Sequence, residues 1–170
     1  MIFPIRFKKP KKGNRYYTRT INGGYNAAIA GYPLDKDCNV LANCVGYANG
    51  RFAEIIGKPF IQYQFIKNAE NFIEDAIRFG LDIADHPTLG GIMVWQKGNT
   101  LNGYDGVGHV AIVEEIIDDN TVLTSESDYG GFVFANMIRC AANGDWSMKD
   151  FIFRGCIENP KVQKFYKNLQ

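Results

Sequence analysis

The sequence predicts a single domain of the α+β class, with helices in its first half and an antiparallel sheet after them. Its 170 residues suit one domain, and 46% of them are hydrophobic, enough to build a core. Apolar residues recur at helical spacing between residues 43 and 80, and short apolar strands separated by tight turns follow from residue 91. Helices that precede a run of strands define an α+β fold rather than an alternating α/β fold.

Two helices are predicted in the first half. The first begins near Asn43, whose side chain can cap it, and it stops at Gly57 and Pro59. Its buried face is predicted to consist of Val45, Ala48, Phe52, Ile55 and Ile56. The second helix follows Asn68 and ends at Gly80, with an apolar face made of Ala69, Phe72, Ile73, Ala76 and Ile77. The aromatic run 60–66 between them is interpreted as a loop or a short strand.

Five strands are predicted in the second half, at residues 91–95, 108–117, 121–126, 132–139 and 151–157. The turn at 118–120 makes a hairpin of the second and third strands, since a short turn imposes antiparallel pairing. A regular hairpin centred on Asp119 places His109 opposite Tyr129. Glu126 is then a neighbour of the opposite position, and it reaches His109 if the register shifts or a bulge intervenes.

Composition excludes several classes of partner. The 19 basic and 18 acidic residues leave a net charge of +1, too little for bulk attraction to duplex DNA, so no nucleic-acid partner is expected. The sequence contains no run of 18 apolar residues, so no membrane span is expected. The first residues lack the apolar segment of a secretory signal peptide, which predicts a protein that resides in the cytoplasm of the cell that makes it.

The charge is unevenly distributed along the chain. All acidic residues lie after residue 34, whereas seven basic residues precede it: Arg6, Lys8, Lys9, Lys11, Lys12, Arg15 and Arg19. The chain is divided into a basic N-terminal arm at 1–30, a main domain at 31–158 and a C-terminal tail at 159–170. The arm is interpreted as a solvated terminus or as a site of attraction for a polyanion such as teichoic acid or lipid headgroups.

The four cysteines point to nucleophilic chemistry rather than to a zinc site, because no two of them have the close spacing of zinc ligands. Free thiols are expected in the absence of a signal peptide, the alternative being two disulfides. Cys44 starts the first helix, where free N–H groups and the helix dipole favour a thiolate. Cys140 and Cys156 are interpreted as small buried hydrophobes in strands, and Cys38 lies in a polar loop.

A cysteine nucleophile needs a base, and the sequence offers two histidines. His109 opens an apolar strand, where its ring can be held rigidly, whereas His86 lies in a loop and is expected to be solvated. The alternative for His109 is a hydrogen-bonded core histidine without a catalytic role. Glu126 is the candidate that orients the imidazole, and Asp128 is its local competitor.

These segments resemble the CHAP family of cysteine- and histidine-dependent amidohydrolases and peptidases. The matching segments are 43–52, 91–95, 108–113, 125–128 and 153–157, within a similarity that covers residues 30–158. The NlpC/P60 peptidases of the wider papain-like clan share the order of cysteine before histidine. The pattern Asn43-Cys44 with Tyr47-Ala48 and Arg51, together with a glutamate as third member, favours CHAP.

The resemblance implies a papain-like α+β domain that cleaves an amide bond of peptidoglycan. The bond would be the N-acetylmuramoyl–L-alanine link or a link in the stem or cross-bridge peptide. Cys44 would be the nucleophile, His109 the base and then the acid, and Glu126 the residue that orients His109. Family members often carry asparagine shortly after the glutamate; here Asp128 stands near that place, and its role stays open.

The resemblance also predicts a biological setting. A phage endolysin that acts as a monomer on peptidoglycan, with no cofactor required for the chemistry, is the favoured interpretation. A host autolysin, an interbacterial amidase toxin of the same clan and a catalytically silent wall-binding module are the alternatives.

A structural calcium site is a further hypothesis. Asp35, Asp37 and Asn39 place oxygen-bearing side chains at alternate positions before the cysteine, as in the opening of many calcium loops. Some lysins that this chain resembles bind calcium there, which would add main-chain oxygens at Asn39 and Leu41. Gly46 stands where such members supply a further carboxylate, and a plain turn capped by Asp and Asn side chains is the alternative.

Overall fold

The computed structural model of the chain describes residues 2–11, 14–17, 44–58, 65, 67–98, 108–128 and 132–170. These ranges contain three α-helices, α1 (Cys44–Ile56), α2 (Phe72–Phe79) and α3 (Pro160–Lys167), and a 3-10 turn at Ala69–Asn71. Six strands accompany them: β1 (Ile83–Ala84), β2 (Ile92–Lys97), β3 (His109–Asp118), β4 (Thr121–Glu126), β5 (Ala135–Cys140) and β6 (Phe151–Ile157). No helix in the described ranges is both long and apolar enough to cross a membrane.

The strands form one antiparallel sheet in the order β1-β6-β2-β3-β4-β5. Helix α1 packs against β3 and β4, so that the helix that begins at Cys44 lies against the central strands. The predicted α+β class is therefore confirmed, with helices packed on one face of an antiparallel sheet. Four of the five apolar positions predicted for α1 are buried, while Ile56 is partly buried.

The α2 prediction is wrong at one position. Ala69, Phe72, Ile73 and Ala76 are buried as expected, but Ile77 is 64% exposed. The buried stripe of this short helix is narrower than the helical spacing of its apolar residues indicates. Asp75 is buried instead and pairs with Arg78 and Lys67.

The sheet buries side chains on both faces. On the helical face, alternate strand residues such as Val94, Val110 and Ile112 join the core of α1. On the opposite face Trp95, Ala111 and Val113 form a second, smaller core. The segment 141–150 between β5 and β6 covers this second core through Trp146, whose carbonyl oxygen accepts a hydrogen bond from Trp95 Nε1 at 2.8 Å. Burial on both faces holds the central strands rigidly.

The β3–β4 hairpin is irregular. Ile112 lies opposite Ser125 at one end and Asp118 opposite Thr121 at the other, with register shifts between Val113 and Glu115 and between Ile116 and Asp118. These irregularities are the condition under which Glu126 was expected to reach His109. The following strand is shorter than predicted, since it begins at Ala135 rather than at residue 132.

The two strand cysteines differ from each other. Cys156 on β6 is fully buried, as predicted, but Cys140 at the end of β5 is exposed. The interpretation of Cys140 as a buried hydrophobe is therefore wrong. It lies at the end of β5, the outermost strand of this side of the sheet, where less of the protein covers it.

The described part of the N-terminal arm packs on the domain. Phe3 and Tyr17 are buried, Arg6 forms an ion pair with Glu54, and the Arg6 N–H donates to Glu114 Oε2 at 3.1 Å. A side chain at Gly50 of α1 would clash with the Tyr17 ring, so this glycine permits the contact. The interpretation as a solvated terminus is therefore wrong at Phe3, Arg6 and Tyr17, whereas Lys8, Lys11 and Arg15 are exposed as it expects.

The C-terminal tail contains a helix that the sequence analysis did not predict. Asn159 caps α3 by accepting a hydrogen bond from the Lys161 N–H at 3.1 Å, and Pro160 occupies the first turn. Val162 is buried against the core, and Lys161 Nζ donates to the Ile55 carbonyl oxygen of α1. The Asn-Pro pair was the available signal for this helix.

A buried ionic network joins α1 to the sheet. Arg51 of α1 is 2% exposed and donates from Nε and Nη2 to both oxygens of Glu114 on β3, each at 2.8 Å. Glu114 also accepts from Ser125 Oγ of β4 at 2.6 Å, and Tyr47 Oη donates to the same Ser125 at 2.8 Å. The network therefore connects the three elements that carry the predicted nucleophile, base and orienting residue.

Candidate active site

The candidate nucleophile is the first residue of α1. Cys44 is 8% exposed and lies at the helix terminus, and the first turn contains no acidic residue. Backbone N–H groups at a helix N-terminus have no partner within the helix, and they stabilise a negative charge placed beside them. The location suits a sulfur that reacts as a thiolate. The predicted cap, Asn43, lies outside the described residues.

The candidate base opens β3 directly after a glycine. Gly108 has φ +67°, and a Cβ there would clash with the Trp95 carbonyl oxygen and lie 2.8 Å from Cβ of Glu70. Both the backbone conformation and the lack of space therefore require glycine. His109 lies opposite Trp95 in the β2–β3 register, with ring centroids 5.8 Å apart. The close approach of the backbone before it and the indole beside it hold the imidazole in place.

Glu126 at the end of β4 binds the imidazole. His109 Nε2 and Glu126 Oε2 are 2.7 Å apart, and Thr124 Oγ1 donates to Glu126 Oε1 at 2.6 Å. Glu126 is fully buried, so the pair is shielded from water. Because Glu126 occupies Nε2, Nδ1 is the ring nitrogen left for the Cys44 side chain, which hydrogen-bonds His109.

The charges around His109 favour a protonated imidazole. Burial lowers the pKa of His109, but the charge and hydrogen bond of Cys44, together with those of Glu126, outweigh it and raise that pKa to about 10. Burial alone would raise the pKa of Glu126, whereas His109 and Arg139 bring it down to about 2. At neutral pH the site therefore holds an imidazolium between the cysteine sulfur and a carboxylate.

The structure thus brings Cys44, His109 and Glu126 together from α1, β3 and β4. Asp128 lies elsewhere: it is exposed, its backbone N–H donates to the Phe132 carbonyl oxygen, and none of the described hydrogen bonds joins its side chain to His109. The other histidine, His86, is exposed and pairs with its neighbour Asp85. Its location agrees with the interpretation of a solvated residue.

Arg139 of β5 is a site residue that the sequence analysis missed. Its Nη2 donates to Glu126 Oε2 at 2.6 Å and its Nε to Glu126 Oε1 at 3.2 Å. Arg139 and Glu126 are 13 residues apart in the chain, and no local sequence pattern predicts their contact. Only the β4–β5 register, in which Arg139 lies opposite Val122, places the guanidinium on the face of the sheet that carries Glu126.

The calcium hypothesis falls on residues outside the described ranges, namely Asp35, Asp37, Asn39 and Leu41. Among the residues that the structure does describe, no group of three or more His, Cys, Asp or Glu side chains is placed to hold a metal ion. Calcium binding by the earlier segment therefore stays a prediction.

The His109 pKa can be measured directly. We expect an NMR titration of the wild-type imidazole to show a pKa near 10, and the same titration in Cys44→Ala to show a lower value because the sulfur's contribution is gone. Because folding raises the pKa of His109, the protonated imidazole stabilises the folded state. This stabilisation is complete at pH values below the ordinary pKa of 6.5, and it is lost as the pH rises towards 10. Equal titration near 6.5 in both proteins would contradict the ionic arrangement.

The chain is similar to several known proteins. The model of the CHAP domain family matches residues 35–128. N-acetylmuramoyl-L-alanine amidase sle1 of Staphylococcus aureus strain MRSA252 is 33% identical over 112 residues, which cover 66% of this chain and 30% of that protein. Its counterpart in strain USA300 is 33% identical over 110 residues, covering 65% and 29%. The chain therefore spans about 30% of the length of these curated relatives.

A solved structure also aligns with part of the chain. The crystal structure of an N-acetylmuramoyl-L-alanine amidase from Staphylococcus aureus aligns with a TM-score of 0.48 and 18% identity, covering 69% of this chain and 31% of that one.

The family match includes the three residues predicted for the chemistry, whereas Arg139 lies beyond it. Residues 35–128 are more than half of the 170 residues, and they contain Cys44, His109 and Glu126. The resemblance seen in the sequence is confirmed by the match, and the chain belongs to the CHAP domain family.

Proposed function

We propose that this chain is a cysteine-dependent hydrolase that cleaves an amide bond of bacterial peptidoglycan. The observation that carries the proposal is the continuous contact from Cys44 through His109 to Glu126, which is the arrangement that nucleophilic acyl transfer requires. The substrate class is supported by the curated relatives, which are named N-acetylmuramoyl-L-alanine amidases. We therefore place the N-acetylmuramoyl–L-alanine bond first and a stem or cross-bridge peptide bond second.

The first half of the reaction forms a thioester. The Cys44 sulfur, paired with the His109 imidazolium, attacks the carbonyl carbon of the scissile amide. The oxygen becomes an oxyanion beside the N-terminus of α1, where the backbone N–H of Cys44 is the proposed donor. The tetrahedral intermediate then collapses: the C–N bond breaks, and His109 Nδ1 gives its proton to the leaving amine.

The second half releases the acid. Neutral His109 takes a proton from water, and the resulting hydroxide attacks the thioester carbonyl. The C–S bond breaks, a carboxylic acid leaves, and the thiolate–imidazolium pair is restored. Glu126 keeps the ring oriented through Nε2 in both halves and stabilises the imidazolium whenever it forms.

The two histidines provide a matched test of this proposal. Purified wild-type protein is expected to release products from peptidoglycan whose new amino termini are L-alanine, identified by mass spectrometry. His109→Ala should reduce the rate by a factor of about 10³ or more, because both proton transfers are lost. His86→Ala, which removes an exposed histidine paired to its neighbour Asp85, should keep the wild-type rate.

Two outcomes would contradict the proposal. A folded wild-type protein that releases no amino terminus from peptidoglycan would refute the substrate class. A fully active His109→Ala variant would refute the mechanism. New termini within the stem or cross-bridge peptide would move the activity to the second-ranked bond.

The biological setting is a proposal of a different kind. We favour a phage endolysin that reaches the cell wall after release from the host cytoplasm and works as a monomer, as the sequence resemblance suggested. An autolysin or an interbacterial toxin would use the same chemistry. The contacts described above concern the chemistry alone, so origin, location and oligomeric state stay predictions.

A further inference from the structure

The geometry points to Arg139 as a positioning residue that acts on His109 and Cys44 through Glu126. The inference deepens the proposed function, on which its rate measurements rest. Arg139 belongs to β5, a strand that carries none of the three residues assigned to the chemistry. It extends the chain of contacts from three side chains to four.

Arg139 binds the carboxylate with a two-pronged contact. Nη2 donates to Oε2 at 2.6 Å and Nε to Oε1 at 3.2 Å. A planar guanidinium in this arrangement fixes the plane of the carboxylate, which a single point donor cannot do. Oε2 is also the oxygen 2.7 Å from His109 Nε2, so the guanidinium and the imidazole share one atom of Glu126.

Arg139 is itself held in place. Its guanidinium lies over the Trp95 ring at 5.6 Å, and its Nη1 is 2.7 Å from Met148 Sδ. Trp95 is fully buried and bonded to the Trp146 carbonyl oxygen. The same Trp95 ring contacts His109, so one rigid indole supports both cations that face Glu126.

The arrangement answers a physical need. Glu126 has no exposed surface, and a buried carboxylate with only one cationic partner would compete for the imidazole proton. The second cation keeps Glu126 ionised and keeps it as an acceptor. It also places a positive charge near the imidazolium, which limits how strongly His109 retains its proton.

Charged and polar groups face the His109–Glu126 pair from each element packed against it. Cys44 approaches from α1, Glu126 from β4 and Arg139 from β5, while Thr124 adds a neutral hydroxyl donor. The 3-10 turn brings Glu70 against the backbone of Gly108, next to His109. Removal of Arg139 deletes a cation from this set and leaves the other charges in place.

Two variants separate the charge of Arg139 from its geometry. Arg139→Gln removes the positive charge, so both limbs of the pH–rate profile should move to higher pH by about one unit. Its kcat should fall about tenfold or more while KM changes little, because Arg139 acts through Glu126 rather than on substrate. Arg139→Lys keeps the positive charge but loses the two-pronged contact. The limbs of its pH–rate profile should therefore stay near those of wild type, while its kcat falls.

Arg78→Gln is the matched control, since it removes another arginine paired to a carboxylate. Arg78 pairs with Asp75 on α2, a helix that carries none of the residues assigned to the chemistry. We expect wild-type kcat and an unmoved profile. The pH dependence of Cys44 alkylation by iodoacetamide, mapped by mass spectrometry, gives a second profile that needs no peptidoglycan.

The outcomes divide clearly. A folded Arg139→Gln protein with wild-type pH limbs, in both hydrolysis and alkylation, would overturn the inference. If Arg139→Gln does not fold, Arg139→Lys provides the test. A wild-type kcat in Arg139→Lys would overturn the inference, because it would show that the two-pronged contact is unnecessary. If wild-type protein alkylates normally but hydrolyses no peptidoglycan, the proposed function fails, while a moved alkylation profile in Arg139→Gln still supports the positioning role.

Discussion

Replacing Cys44 by alanine is expected to abolish hydrolysis of purified cell walls, with a loss of at least about 10⁴-fold in rate. The thioester forms on the Cys44 sulfur, and without it the remaining site residues contribute only binding and oxyanion stabilisation. Cys44→Ser should be almost as inactive, because a serine hydroxyl is not ionised by pairing with an imidazole at neutral pH. For both variants the rate of hydrolysis is measured as the loss of turbidity of a cell-wall suspension and as the release of new amino termini.

The controls for this prediction lie in the same chain. Cys140→Ala removes an exposed cysteine on β5 and should leave the rate unchanged. Cys44→Ala removes one buried atom, so its melting temperature should stay within a few degrees of wild type. A Cys44→Ala protein that still hydrolyses cell walls would refute the nucleophile, whereas an unfolded one would show a structural role that its location at the helix terminus does not predict.

The largest expected loss of stability comes from Glu114. Glu114→Ala leaves the Arg51 guanidinium buried without its main partner and deprives Ser125 Oγ and the Arg6 N–H of their acceptor. Removing one partner of a buried ion pair costs about 3–5 kcal/mol. The lower end applies here, because Arg51 keeps Glu54 and the Pro4 carbonyl oxygen. Chemical denaturation measures the free energy of unfolding.

Glu115 is the matched control for Glu114. It is the next residue of β3 but is exposed, so Glu115→Ala should change the free energy of unfolding by less than about 0.5 kcal/mol. Equal stability losses in the two variants would contradict the role of the buried network. Glu114→Ala should also lower activity, since the network holds α1, which carries Cys44, against the strands that carry His109 and Glu126.

Much of the site could be predicted from local patterns. The apolar spacing after Cys44 located a helix that begins at that residue, and the apolar run after Gly108 located a strand that begins at His109. Both predictions rest on periodicities that neighbouring residues impose on one another. The same patterns were less informative at Ile77 and Cys140, where exposure depends on what packs above the element and not on the element itself.

Sequence alone determined the order of α1, α2 and strands β2 to β6, the positions of Cys44 and His109 at the starts of their elements, and, through the motifs, the family. Tertiary structure alone decided that Glu126 rather than Asp128 binds the imidazole, that Arg139 joins it, and that residues 2–17 pack on α1 where described. The reason is physical: local spacing specifies which face of an element is apolar. Strand register, bulges and the partners of buried charges depend on contacts between residues far apart in the chain.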